Sequence, residues 1–186
     1  AFVAAAFLAA AGTASADDLS QAQDRGLELF RAARYADALP HFEKALNLAE
    51  ARYGAADPAI ATDLNNLAET RRLLAQYDRA ERLYLRAIAL DEKAGKDAGP
   101  GLATSLNNLA LVYRAQKRFP EAEKLYLRSL SLLEQTLGSN HPDVAKSLNN
   151  LAILYYKMGN YEKAEPLYLE SKDILGKTLG SEHPTY

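Results

Sequence analysis

The chain has 186 residues, a formal net charge of −2, 48% hydrophobic residues and 25% charged residues. This balance is typical of a globular domain; it argues against intrinsic disorder and gives no electrostatic reason to expect a nucleic acid or an acidic membrane as partner. The sequence contains no cysteine, which excludes disulfides, a thiolate nucleophile and cysteine-ligated metals.

The N-terminal segment differs in composition from the rest of the chain. Residues 1–12 are almost wholly apolar, and Ala14-Ser15-Ala16 matches the small-x-small pattern of signal-peptide cleavage sites. We therefore expect residues 1–16 to be part of a signal peptide that lacks its initiating Met, and the mature chain to be periplasmic or secreted, in a bacterium. The apolar run is too short to span a bilayer, so no membrane span is expected in the mature chain. The alternative is a hydrophobic helix that caps the first repeat.

The rest of the chain repeats every 42 residues. The segment Leu-Asn-Asn-Leu-Ala begins at Leu64, Leu106 and Leu148. Aromatic, alanine and proline columns share this period: Tyr35, Tyr77, Phe119 and Tyr161; Ala38, Ala80, Ala122 and Ala164; Pro58, Pro100, Pro142 and Pro184. Because independent columns keep one register, the sequence predicts a stack of equivalent units. The predicted units are 17–56, 57–98, 99–140 and 141–182, followed at 183–186 by the start of a truncated fifth unit.

Each unit is predicted to be a pair of helices. Apolar residues recur at three- and four-residue steps in two successive runs per unit, and no strand is predicted. Each proline of the column at 58, 100, 142 and 184 is placed just before a first helix, where its fixed φ suits the first helical position, with Asp57 as the N-cap before Pro58. Gly54, Gly138 and Gly180 end second helices in the left-handed conformation, whereas Gly95 is displaced by one residue. Pro40 and Pro166 are placed in the first turn of a second helix, where the backbone N–H groups have no intrahelical partner.

These columns resemble a known family. Leu109-Ala110, Tyr113, Phe119, Ala122 and Tyr126 resemble the signature of the tetratricopeptide repeat, and the 42-residue length with the linker 137–142 resembles the kinesin-light-chain type. The resemblance runs from Asp18 to the end and is loosest in the first unit, where Gln23-Asp24 replaces the asparagine pair and Gly26 takes the small position. It implies an all-α, right-handed superhelical solenoid whose first helices line a concave groove that holds a peptide.

The resemblance also implies which residues face the groove. Carried over in register, the predicted binding residues are Asn65, Asn66, Arg72, Asn107, Asn108, Arg114, Lys146, Asn149 and Asn150. An asparagine amide both donates and accepts hydrogen bonds, so it can pair with a peptide backbone of any sequence. The alternative is that one asparagine of each pair bonds the neighbouring repeat. The periodic arginines favour an acidic ligand, unless they are solvated or pair with Glu69.

The sequence offers little for catalysis, and we expect no enzyme activity, cofactor or metal. The only histidines are His41, His141 and His183, and the last two precede prolines, which indicates a capping or turn role. The leading hypothesis is a scaffold that binds a protein or peptide. One alternative is the N-terminal sensor of a larger secreted enzyme, such as a caspase-like peptidase; another is a cytosolic cargo adaptor.

Overall fold

The computed structural model describes residues 16–95 and 99–179. Within these ranges the chain forms eight α-helices, one 3-10 turn and no strand, which confirms the all-α class. The helices are α1 (Ala16–Arg31), α2 (Tyr35–Tyr53), α3 (Ala61–Leu73), α4 (Tyr77–Ala94), α5 (Gly99–Ala115), α6 (Phe119–Leu137), α7 (Pro142–Lys157) and α8 (Tyr161–Leu179), with the 3-10 turn at Pro58–Ile60. The predicted signal peptide, apart from Ala16, lies outside the described residues, as do Gly180 and residues 183–186.

The helices form a solenoid of four pairs. The two helices of each pair pack against each other, and α2, α4 and α6 each pack against the first helix of the next pair. Helix α3 also contacts α5, so the first helices of neighbouring pairs lie side by side. None of the described helices combines the length and apolar character needed to cross a bilayer.

Small residues let the two helices of a pair approach closely. The alanine column at 38, 80, 122 and 164 is at most 2% exposed. The first helices have a small column of their own, formed by Gly26, Ala68, Ala110 and Ala152. A Cβ at Gly26 would come within 2.8 Å of the Phe42 ring. The periodic aromatics Phe42, Tyr84 and Tyr126 are at most 1% exposed and fill the centre of three successive pairs.

Prolines lie at the start of the first helices: Pro58 and Pro142 begin an element and Pro100 is the second residue of α5, while Pro184 lies outside the described residues. The Asp57 side chain accepts a hydrogen bond from the Ala59 N–H at 2.8 Å, and Pro58 begins the 3-10 turn that leads into α3. Pro142 is the first residue of α7, and His141 Nδ1 accepts from the Asp143 N–H at 3.2 Å. The predicted capping roles of Asp57 and His141 are therefore confirmed.

The ends of the second helices differ from the prediction in the conformation of the capping glycines. Gly54 and Gly138 cap α2 and α6 with φ of 95° and 83°, but their ψ values of 148° and 152° are extended rather than left-handed helical. This region is accessible essentially to glycine alone, and the displaced Gly95 also caps α4 at a positive φ of 78°.

The prediction for Pro40 and Pro166 was wrong. Because α2 and α8 begin at the aromatic residues Tyr35 and Tyr161, both prolines lie inside their helices rather than in the first turn. Each removes one main-chain hydrogen bond from its helix.

Candidate peptide-binding groove

The predicted groove residues lie on the first helices α3, α5 and α7, and all of them except Asn149 and Asn150 line one or more of three cavities. An aromatic cavity of about 170 Å³ is lined by Leu27, Phe30, Phe42, Asn65, Asn66, Glu69, Thr104 and Asn108. A central cavity of about 340 Å³ is lined by Pro100, Ala103, Thr104, Asn107, Asn108, Ser129, Leu133, Asp143, Lys146 and Ser147. A cationic cavity of about 480 Å³ is lined by Arg72, Leu111, Arg114, Ala115, Lys117, Phe119 and Lys157.

The aromatic cavity is linked to each of the other two cavities. Asn108 lines both the aromatic and the central cavity. Glu69, in the aromatic cavity, binds Arg72 of the cationic cavity. The structure therefore brings the predicted residues of the second and third units together along neighbouring helices.

Some asparagines of the three pairs form hydrogen bonds between neighbouring repeat units. Asn65 Nδ2 donates to Ser105 Oγ of the next unit at 2.8 Å and to the Ala61 carbonyl at 3.0 Å. Asn150 Nδ2 donates to Asn107 Oδ1 across the next junction at 3.0 Å. These asparagines therefore bond a neighbouring unit, as the alternative considered for the pairs holds, while Asn66 and Asn108 line cavities.

Other predicted residues have different surroundings. Lys146 lines the central cavity but donates to Asp143 of its own helix at 2.8 Å. Asn149 is half-buried on α7 and is not among the residues that line the three cavities.

Arg72 is already neutralised within the chain. Its Nε and Nη2 donate to the two carboxylate oxygens of Glu69 at 2.7 and 2.5 Å. The Tyr84 hydroxyl donates to the same carboxylate at 2.8 Å. The hydrogen bond to Glu69 is the main reason why the pKa of Arg72 is raised. Pairing with Glu69, an alternative considered from the sequence, is the arrangement found for Arg72.

Arg114 is placed differently, although it is the counterpart of Arg72 one repeat later. Its Nη1 is buried, and it has no hydrogen-bond partner within residues 16–95 and 99–179. In the same described ranges, the buried hydroxyl of Tyr126 also lacks a partner. Burial raises the pKa of Tyr126 to about 12, while the positive charges of Arg114 and Arg72 act in the opposite direction.

Two features of the groove were missed by sequence reasoning. In the sequence, Tyr126 is only part of the repeat signature and Tyr84 has no assigned role, yet the Tyr84 hydroxyl takes part in the polar contacts around Arg72. The exchange of Glu69 for Leu111 at the same position of successive units was visible in the sequence. The effect of this exchange on hydrogen bonding depends on the arginine and the tyrosine that the fold places beside this position.

Among the residues that the structure describes, no group of three or more His, Asp or Glu side chains is arranged to hold a metal ion.

Comparison with known proteins identifies the repeat. The family model described as tetratricopeptide repeat matches residues 15–93 and 101–184, and a second model of the same description matches residues 65–132. No curated protein matches the chain in sequence.

Solved structures share the fold at low sequence identity. The crystal structure of BtubC (BKLC) from P. vanneervenii has a TM-score of 0.75 and 24% identity over 89% of this chain. A putative kinesin light chain from Podosopora anserina, with nearly identical TPR-like repeats, has a TM-score of 0.75 and 24% identity; the match covers 90% of this chain and 79% of that one. The apo form of RapI has a TM-score of 0.76 at 17% identity, covering 87% of this chain and 57% of RapI. This chain spans 66% of the BtubC chain, slightly less than two thirds of its length.

Proposed function

We propose that the chain, which belongs to the tetratricopeptide repeat family, is a protein-interaction scaffold that holds a peptide segment of a partner along α3, α5 and α7. The observation that carries this proposal is the run of linked cavities on neighbouring first helices, each lined by amide or cationic side chains.

The amide groups suit recognition of a peptide backbone. Asn66 and Asn108 are half-buried at the aromatic cavity. Each can donate to a carbonyl and accept from an N–H, and Asn108 Oδ1 also accepts from Asn107 Nδ2 at 3.3 Å. Such contacts read the main chain and leave the ligand sequence largely free. Asn65 lines the same cavity, but its Nδ2 donates to Ser105 Oγ of the next unit and so supports the groove wall.

Apolar side chains at the same place supply binding energy. Leu27, Phe30 and Phe42 form one side of the aromatic cavity, next to the amides of Asn66 and Asn108. A cavity with an apolar side and a few convergent polar groups is typical of a binding site. We infer that one apolar ligand side chain occupies it while the adjacent peptide groups bond the asparagines.

The test is a peptide-array screen followed by titration of the best ligands. Asn66→Ala combined with Asn108→Ala should weaken binding at least about tenfold, which corresponds to about 1.4 kcal/mol. The helices should stay intact, since alanine is the better helix former. Circular dichroism and the melting temperature check this.

The matched control is Asn47→Ala, which removes an exposed asparagine from α2, away from the three cavities. Its affinity should equal that of the wild type. If the double variant binds the best ligands as tightly as the wild type, recognition does not use this groove.

A further inference from the structure

A chain of side-chain hydrogen bonds joins the second and third units but is interrupted between the third and fourth. At the second junction, Asn65 Nδ2 donates to Ser105 Oγ at 2.8 Å. Ser105 Oγ shares its own hydrogen between Asp91 Oδ2 at 3.2 Å and the Gly101 carbonyl at 3.1 Å. One period of 42 residues later, the positions of Asn65, Ser105 and Asp91 are taken by Asn107, Ser147 and Leu133. The third junction therefore keeps the hydroxyl and lacks the carboxylate that would accept from it.

The hydroxyl of Ser147 is left without a partner. Ser147 is 2% exposed, and its Oγ forms no hydrogen bond within residues 16–95 and 99–179. Leu133 has no acceptor to offer, and Asn107 Nδ2 donates instead to Asn108 Oδ1 of its own helix at 3.3 Å. A buried hydroxyl is costly to leave unsatisfied, so a ligand that supplies an acceptor here gains binding free energy.

The central cavity connects Ser147 with the surface. The exposed residues that line it are Pro100, Thr104 and Lys146, and the buried ones are Ala103, Ser129, Leu133 and Ser147. The cavity therefore extends from the surface into the space between the third and fourth units. Its volume of about 340 Å³ is within the range of ligand sites and well above the roughly 30 Å³ that one water occupies.

The other two hydroxyls that line the cavity can act only as acceptors toward a ligand. Ser129 Oγ donates its hydrogen to the Ala103 carbonyl at 2.8 Å, and Thr104 Oγ1 donates to the Pro100 carbonyl at 2.9 Å. Because a hydroxyl has a single hydrogen, each of these oxygens can only accept a further bond. A ligand group must therefore accept from Ser147 and donate to Ser129 or Thr104.

This combination selects a neutral group that both donates and accepts. A carboxylate has no hydrogen to donate, and an ammonium has no lone pair to accept with. Lys146 Nζ and Asp143 Oδ1, from the two charged residues in the lining, bind each other at 2.8 Å, so neither calls for an ion. A primary carboxamide has its acceptor and its two donor hydrogens on separate atoms, whereas a hydroxyl has one hydrogen for both acceptors. The apolar side chains of Ala103 and Leu133 line the buried part of the cavity and suit an aliphatic stem.

We propose that the central cavity binds the side-chain carboxamide of a glutamine in the ligand. The carbonyl oxygen of the carboxamide accepts from the Ser147 hydroxyl, and its NH₂ group donates to Ser129 and Thr104. The methylene groups of the glutamine pack against Leu133. This rests on the proposed function only for the idea that the carboxamide belongs to a peptide.

The unpartnered hydroxyl provides the first test, without any ligand. Ser147→Ala removes a buried group that has no partner, so the variant should melt at the same temperature as the wild type or higher. Ser105→Ala, the same exchange one period earlier, removes a hydroxyl that bonds Asn65 and Asp91. It should melt at least about 2 °C below the wild type. If Ser147→Ala is as destabilising as Ser105→Ala, the Ser147 hydroxyl is already satisfied in the free protein and the proposal is overturned.

A set of capped amino acids provides the second test. The probes are the N-acetyl N-methylamides of glutamine, glutamate, ornithine, methionine and homoserine, since an N-methylamide adds no second primary carboxamide. The readout is the NMR shift of the backbone N–H groups of Ser147 and Ala103 during titration at pH 7 and constant ionic strength. We expect saturation with the glutamine probe, at a dissociation constant at least about fivefold below that of each other probe.

Two serine variants complete the binding test. Ser147→Ala should bind the glutamine probe at least about fivefold more weakly than the wild type, because it lacks the donor to the carbonyl oxygen. The control is Ser131→Ala, which removes an exposed hydroxyl of α6 outside the central cavity. Its affinity for the glutamine probe should equal that of the wild type.

Four outcomes would contradict the assignment. These are the absence of saturation with the glutamine probe, binding of the glutamate or ornithine probe as tightly as the glutamine probe, equal binding of the methionine probe, and undiminished affinity of Ser147→Ala. Tighter binding of the homoserine probe would overturn the choice of a carboxamide in favour of a hydroxyl.

The two proposals fail separately. If no peptide ligand is weakened by the double exchange of Asn66 and Asn108 while the glutamine probe still depends on Ser147, the carboxamide site stands without the peptide groove. If a peptide ligand depends on these asparagines but binds Ser147→Ala as tightly as the wild type, the groove stands and the carboxamide site does not.

Discussion

At the scale of single residues, the turn between the two helices of each pair contains one residue with a positive φ angle. Ala33, Ala75, Lys117 and Gly159 all have positive φ, between 56° and 77°. In the second unit the Ala75 N–H donates to the Arg72 carbonyl and the Gln76 N–H to the Arg71 carbonyl, the bond pattern of a Schellman motif. Three of the four units therefore place an L-residue with a side chain in a conformation that favours glycine.

The positive φ at these four positions predicts that glycine is more stable than alanine there. Ala75→Gly should stabilise the protein by about 0.5–1 kcal/mol, because relief of the left-handed conformation exceeds the added entropy of the unfolded chain. Gly159→Ala should destabilise it by about 1 kcal/mol for the converse reason. Urea denaturation measures both.

The control for these variants is Ala89→Gly at an exposed position inside α4. It should destabilise by about 0.5–1 kcal/mol, since glycine weakens a helix interior. If Ala75→Gly is as destabilising as Ala89→Gly, the turn does not strain its alanine.

At the scale of the element, the helix pair depends on small residues where the two helices meet. Ala122 is 0% exposed and belongs to the same buried cluster as Ala110, Tyr113 and Tyr126. With protein interiors packed as densely as organic crystals, there is no room for added methyl groups without displacement of neighbours. The alanine column is thus a packing requirement of the fold.

Ala122→Leu should overpack the third pair and destabilise the chain by about 1–3 kcal/mol. The matched exchange at an exposed position, Ala89→Leu, should change stability by less than about 0.5 kcal/mol. Thermal melts of the two variants test the register of the repeat, and equal melting temperatures would show that Ala122 is not at the interface.

At the scale of the whole molecule, polar contacts join neighbouring pairs in addition to apolar packing. Gln23 Nε2 donates to Asp63 Oδ1 at 2.8 Å between the first and second units, and Asn65 donates to Ser105 between the second and third. Asp63 is only 3% exposed. Its pKa is raised, mainly because burial disfavours the charged form, although the hydrogen bond from Gln23 acts in the opposite direction.

The raised pKa makes the first junction sensitive to pH. The folded state holds the proton of Asp63 more tightly than the unfolded state, whose carboxyl has a pKa of about 3.9. Its contribution to stability is therefore largest below that value and is lost as the pH rises through the folded-state pKa.

Asp63→Asn keeps an acceptor for Gln23 and removes the buried charge. We expect the variant to melt at a higher temperature than the wild type at pH 7, with the difference shrinking as the pH falls toward 4. Asp24→Asn, at an exposed position of α1, is the control and should not reproduce this pH dependence. A difference between Asp63→Asn and wild type that does not change with pH would mean that Asp63 does not titrate differently in the folded state.

The sequence alone determined the architecture. A period shared by Ala122, Phe119 and Pro100 can arise only from equivalent units, and apolar residues at helical spacing can be buried only if those units stack. The helix order, the alanine packing columns and the capping roles of Asp57 and His141 follow from such local and periodic rules. The positions of Pro40 and Pro166 inside their helices could not be predicted in this way, because a sequence indicates the first residue of a helix less precisely than its buried face.

Only the tertiary structure decided how the groove side chains are used. Arg72 and Arg114 occupy the same position of two repeats, yet one is neutralised by Glu69 and the other lies beside Leu111 with a buried donor left over in the described part of the chain. Asn65 and Asn107 bond neighbouring units, while Asn108 lines two cavities. The physical reason is that periodicity fixes which residues share a face, whereas a hydrogen bond depends on which side chains meet across helices from different parts of the chain.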